Sequence, residues 1–190
     1  MRHPIRNKRP SLRLLALAAA LVLAIPFGTL ATTADIPEYG VTVGFPASLD
    51  VFTKNMADDN PVLALYDTTA NQVREDLSRQ GLTAKAQDIA GKFFITLALT
   101  SQSGEDLGTL DEASLKEFAS RYGGEVQELI PHRSGSFLLM KNEEARQITC
   151  VFLGGNLLYE LRLYANGRLR SSMSSIMKDI ARLTEFSLGQ

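Results

Sequence analysis

Residues 92–100, KFFITLALT, constrain the fold more than any other stretch of the chain. Phe93, Ile95, Leu97 and Leu99 fall on one side of an extended segment, and Phe94, Thr96, Ala98 and Thr100 on the other. A period of two dictates a strand. Apolar groups on both sides dictate a central strand, covered by one layer above and one below.

The rest of the pattern supplies those layers. Residues 39–45, between Pro37 and Pro46, read as a first strand, and residues 49–53 are expected to pair back onto it. Residues 57–61, ADDNP, are a turn, and the short apolar run 63–66 fits either state. Thr69 and Gln72 form a capping box for a helix whose face carries Ala70, Val73 and Leu77, with Gly81 as its stop. Residues 82–87 read as extended. A second capping box, Thr109 with Glu112, opens a helix with Leu115, Phe118, Ala119 and Tyr122 on one stripe and Gly123-Gly124 at its end. Glu112 and Lys116 can pair on its wet face. Three strands follow, at 136–141, 147–153 and 157–164, with a hairpin signal at Gly154-Gly155 and a turn at Asn166-Gly167. A closing helix over 172–184 buries Met173, Ile176, Met177, Ile180 and Leu183. The class is α+β: a mainly antiparallel sheet flanked by helices. No repeat or linker divides it.

The first 34 residues stand apart. Arg2, Arg6, Lys8, Arg9 and Arg13 form a basic head, residues 14–25 are unbroken apolar, and small residues follow Pro26 and Gly28. These are the three parts of an export signal. Cleavage after Ala34, with Thr32 two before it, fits best, and cleavage after Ala31, with Thr29 two before it, is a close second. The apolar run falls short of the roughly 20 residues of a spanning helix unless the segment out to Leu30 also enters the bilayer as an uncleaved anchor. The expected division is 1–34 as signal peptide or signal anchor and 35–190 as one globular domain.

Charge narrows the partners. Five of the 20 basic residues and none of the 21 acidic ones precede Asp35, which leaves 15 against 21, a net of about −6 with histidine neutral. Such a surface repels phosphate backbones and anionic lipid. Nucleic acid is therefore not expected as a partner, and a membrane only if the N-terminal segment stays uncleaved. Cys150 is the only cysteine, so no disulfide forms within the chain and packing alone must hold the domain.

The layout resembles the PsbP-like fold, an α/β/α sandwich. The resemblance is carried by an opening strand that ends in Gly44-Phe45-Pro46, a long antiparallel sheet, a late hairpin with its Asn-Gly turn, and a terminal helix ending in Phe186. That fold is shared by the extrinsic photosystem II protein, the Ran-binding Mog protein and many secreted bacterial proteins. The resemblance covers residues 39–186 and implies a non-enzymatic binding or assembly module.

Chemistry is sparse. His132 and Cys150 are too few for a zinc site, and Asp58-Asp59-Asn60 lacks the spacing of a calcium loop and reads as a turn, so no metal or cofactor is expected. Cys150 shares a strand with Ile148 and Phe152 and reads as a small buried hydrophobe, although a Cys150/His132 pair would be the route to a thiol nucleophile. Ser134-Gly135-Ser136 and Ser171-Ser172 read as turn and cap residues, without a nucleophile elbow. Glycine pairs 123–124 and 154–155 lack phosphate-loop spacing. Arg162, Arg168, Arg170, Lys178 and Arg182 could form an anion patch but read as solvated faces. Met173 and Met177 read as core. No catalytic, cofactor-binding or metal-binding residue is assigned. The expected function is an extracytoplasmic module, secreted or in the cell envelope, that acts by contact with a protein partner. The alternatives are a secreted hydrolase, using carboxylates or the Cys150/His132 pair, and a signal-anchored accessory domain of a membrane complex.

Overall fold

The computed structural model describes residues 32–187. All of the expected leader except residues 32–34 lies outside the described residues. The chain opens with β1 (Thr32–Ile36) and β2 (Val41–Phe45), an antiparallel pair joined by a 3₁₀ turn at Pro37–Tyr39. Residues 32–34 thus lie in a strand that crosses the boundary expected at 34/35.

Seven further strands form one antiparallel sheet. They are β3 (Leu49–Thr53), β4 (Ala84–Asp88), β5 (Phe93–Ser101), β6 (Glu125–His132), β7 (Gly135–Asn142), β8 (Gln147–Gly154) and β9 (Leu157–Ala165). Their order is β3-β4-β5-β9-β8-β7-β6. A last strand, β10 (Glu185–Phe186), pairs with β2 and completes a small three-stranded sheet. The helices are α1 (Pro61–Leu65), α2 (Ala70–Arg79), α3 (Glu112–Arg121) and α4 (Ser171–Arg182).

The α+β class and the antiparallel sheet stand as the sequence led one to expect, and β5 is an interior strand with one fully buried face. Thr69 and Gln72 make the reciprocal capping box that starts α2. Between β8 and β9, Gly155 and Asn156 both have positive φ, 58° and 61°, as a two-residue type I′ hairpin requires. The sequence reading needs correction in seven places. β5 is covered on one face only, its other face lying open at Phe94, Thr96 and Ala98. Leu183, expected in the buried stripe of the closing helix, lies just past its end and is 47% exposed. Residues 49–53 pair with β4, not with the opening strand. The cap of α3 is Asp111, whose carboxylate accepts from Ser114 N at 2.8 Å, while the Thr109 hydroxyl donates to the Asp106 carbonyl. α4 starts at Ser171 after Arg170, with no side-chain cap. Phe186 lies in β10, beyond the helix. β6, unassigned from sequence, forms an edge, with a bulge between Val126 and Glu128 and Pro131 near its end.

One face of the large sheet carries the main core. Ile95, Leu97, Leu99, Leu161, Leu163, Phe137 and Phe152 meet Met173, Met177 and Ile180 of α4 and Val41, Val43 and Phe45 of β2. The opposite face is covered only at its two sides. Over β3, Phe52 packs with Leu63, Val73 and Leu77 of α1 and α2. Over β7 and β8, Leu138, Met140 and Val151 pack with Ala119, Leu115 and Phe118 of α3.

Gly44 holds the small sheet against α4. Its N–H donates to the Leu183 carbonyl at 3.3 Å, and a Cβ at this position would stand 2.8 Å from Leu183 Cβ. The strand and the helix end can approach this closely only over a bare α-carbon. Gly44→Ala is expected to destabilise the protein by about 1–3 kcal/mol, the usual toll of overpacking. Denaturant unfolding reads this directly, and an unchanged midpoint would show that the approach is looser than described.

Candidate functional site

Between the two covered sides, the floor of β4, β5 and β9 lies open as a valley. The pleat sends Lys85 and Gln87 of β4, Phe94, Thr96 and Ala98 of β5, and Glu160, Arg162 and Tyr164 of β9 to this face. The register sets Phe94 beside Tyr164, Thr96 beside Arg162 and Ala98 beside Glu160. Two hollows share this floor. One, of about 520 Å³, runs over Phe94, Thr96, Glu160, Arg162 and Tyr164 to Gly81 and Leu82. The other, of about 430 Å³, lies between Lys85, Gln87, Phe52 and the α2 side chains Gln72, Asp76 and Arg79. They adjoin along the Lys85–Thr96 and Gln87–Phe94 pairs.

The floor is chemically mixed. The Phe94 and Tyr164 rings stack with centroids 4.9 Å apart, and Lys85 Nζ lies 5.4 Å from the Phe94 ring centre. Glu160 and Arg162 form an ion pair two residues apart on one strand, with side chains 17% and 36% exposed. The Arg162 Nε that meets the Glu160 carboxylate in this pair is itself buried and has no other partner among the described residues. Tyr122, just past α3, sets its ring 5.9 Å from the Arg162 guanidinium carbon. Burial, followed by the Glu160 charge, pushes the Tyr122 hydroxyl above its ordinary pKa, so it stays protonated and available as a donor. At the valley's outer end Tyr66 donates to Asp50 Oδ2 at 2.8 Å, and burial together with this bond pushes its pKa to about 12.

The residues singled out from sequence fall elsewhere, Arg162 excepted. Cys150 is fully buried in β8 between Leu139 and Leu161, and burial drives its thiol far above the ordinary range. A thiol that neither ionises nor meets solvent is no nucleophile, which removes the thiol version of the hydrolase reading. His132 ends β6, where its ring lies edge-on to Phe137 and Phe186. Ser134 N–H donates to Nδ1 at 3.2 Å, so the proton sits on Nε2, which donates to the Thr184 carbonyl at 3.0 Å. Both ring nitrogens are therefore engaged, and the residue is a clamp between the β6–β7 turn and the segment after α4. Asp58 pairs with Arg74 at 3.1 Å and Asn60 caps α1, as the turn reading expects. Ser136 N donates to Asp106, and Ser171 and Ser172 lie in the first turn of α4. The five basic residues fall on different elements: Arg162 sits in the valley, Arg168 and Arg170 lie between β9 and α4, and Lys178 and Arg182 on α4 pair with Glu128 and Asp179. Met173 and Met177 are core.

His132 makes stability depend on pH. Burial lowers its pKa, the Thr184 carbonyl opposes this, Arg133 lowers it further and Glu185 raises it, and the balance lies below the ordinary 6.5. The unfolded chain thus takes up this proton at higher pH than the folded one. The stability contribution is complete above 6.5 and declines as pH falls below it. The melting temperature is expected to drop between pH 7 and pH 5, and His132→Gln to flatten that drop. An equal drop in both proteins would assign it to other groups.

No helix among the described residues is long and apolar enough to cross a membrane, and no group of three or more His, Cys, Asp or Glu converges there. No protein-family profile matches the chain, and no curated protein matches it. Among solved structures, it is similar to the solution structure of cyanobacterial PsbP (CyanoP) from Synechocystis sp. PCC 6803. The two are 12% identical with a TM-score of 0.45, over 86% of this chain and 95% of that one.

Proposed function

We propose that this protein is an extracytoplasmic binding module that holds an extended segment of a partner protein in the valley over β4, β5 and β9. The observation that carries the reading is the uncovered floor itself: a stacked aromatic pair beside a half-buried ion pair, in the middle of a sheet whose flanks are sealed. Interior strands seldom leave aromatic rings and an arginine unroofed, and these residue types carry most of the energy at protein interfaces. The valley is long and open, whereas small-molecule sites enclose most of their ligand. A fitting segment presents an apolar side chain to Phe94 and Tyr164 and a polar group to Glu160 and Arg162. The extracytoplasmic part of the reading is supported by the basic head, apolar run and small-residue exit of residues 1–34.

A photo-crosslinking side chain placed at Thr96 in cells tests this. A discrete protein adduct is expected at Thr96, weakened by Arg162→Met, with none from the same group at Glu144 on the exposed β7–β8 turn. No adduct at Thr96, or the same adduct at Glu144, would remove the valley as the contact site.

A further inference from the structure

Strand β1 contains the residues that the small-residue exit of the leader also contains. Thr32, Thr33 and Ala34 pair with Phe45, Gly44 and Val43, and only Asp35 and Ile36 complete the ladder. Ala34 is buried in the main core. On its other side β2 is paired by β10 only at Val41 and Thr42. The half of β2 from Val43 to Phe45 therefore owes its strand partners to residues 32–34. A cut after Ala34 would remove three of five rungs, uncover Val43 and Phe45, and put a new ammonium group on Asp35 within the ladder. A cut after Ala31 keeps all five rungs of the described residues and still satisfies the small-residue rule, through Thr29 and Ala31.

We infer that the leader is removed between Ala31 and Thr32, so that the mature chain keeps residues 32–34 and their pairs with β2. This rests on the export reading above. An endopeptidase of the signal-processing class hydrolyses the bond: water adds across it, leaving the new carboxylate on Ala31 and the new ammonium on Thr32. The choice between two acceptable cleavage points is thereby made by the fold, because one of them cuts through the structure that the mature protein must form.

The mass of the N-terminal peptide of the native protein, read together with its cell fraction, tests this. A Thr32 terminus outside the cytoplasm is expected. An Asp35 terminus in the same fraction, or any other processed terminus, would overturn the inference and leave the export reading standing. An intact N-terminus in the membrane fraction would overturn the inference and establish the anchor instead. In the full chain, Ala31→Phe is expected to reduce processed protein by about tenfold, since a large side chain before the scissile bond blocks processing. Processing of that variant at the wild-type rate and position would also overturn it.

Discussion

Phe186→Ala is expected to lower the unfolding free energy by about 3–5 kcal/mol, the range for emptying an aromatic site in a core. In a domain of this size that corresponds to roughly 10 °C in melting temperature. The side chain is almost wholly buried and lies at a crossing of rings. It stacks on Phe152 at 4.4 Å and on Phe137 at 6.0 Å, and it meets Tyr159 and His132 edge-on. Its backbone also closes β10 onto Val41 of β2. Removing the ring leaves a void that four aromatic neighbours, fixed on four strands, cannot collapse to fill. Chemical denaturation followed by circular dichroism would measure the loss, and a cost near 1 kcal/mol would mean that the C-terminal segment docks loosely.

The second large effect separates the two faces of β5. Leu97 is fully buried between Ala84 and Leu161 on the core face, and Leu97→Ala is expected to cost about 2–5 kcal/mol. Phe94, three residues earlier, points the other way into the valley. Phe94→Ala should cost only about 1 kcal/mol, for its stack with Tyr164 and its half-buried area. It should at the same time weaken the adduct formed at Thr96. Leu97→Ala should leave that adduct unchanged at temperatures where it is folded. Equal stability losses for the two variants would mean that the valley floor is ordinary core and that something covers it in the native fold.

Much of the frame was legible in the sequence because local rules fixed it. Alternation announced β5, the Thr69–Gln72 box announced α2, and the glycine pair 154–155 announced the last hairpin, whose turn falls one residue later at Gly155-Asn156. What escaped was set by partners distant in the chain. β6 reads EVQELIPH, with a bulge and a proline, and only an edge position tolerates such a strand. β1 reads TTADI and is hidden inside a leader signal of the same composition. Phe186 continues the apolar stripe of α4, yet the chain turns at Leu183 to give it to β2. Asp111 displaces Thr109 as a cap because the 3₁₀ turn before it consumes Thr109. The valley was half visible: the strand at 157–164 was legible, and a period of two along it sets Glu160, Arg162 and Tyr164 on one face with Tyr159, Leu161 and Leu163 on the other. That Tyr122 and Phe94 come beside them depends on register and on where α3 ends, and no local pattern encodes either.

The placement of β2 between the first strand and the last bears on how the molecule is made. β9, the middle of the large sheet, also comes late in the chain, and β5 waits for it as a partner. Neither sheet can be completed until the final segment is at hand, so the topology has high contact order and closes slowly. A chain emerging N-terminus first would stay without a finished tertiary structure until almost all of it had been released. On the export reading proposed above, such a chain passes a narrow pore without first being unfolded and acquires its stability only on the far side.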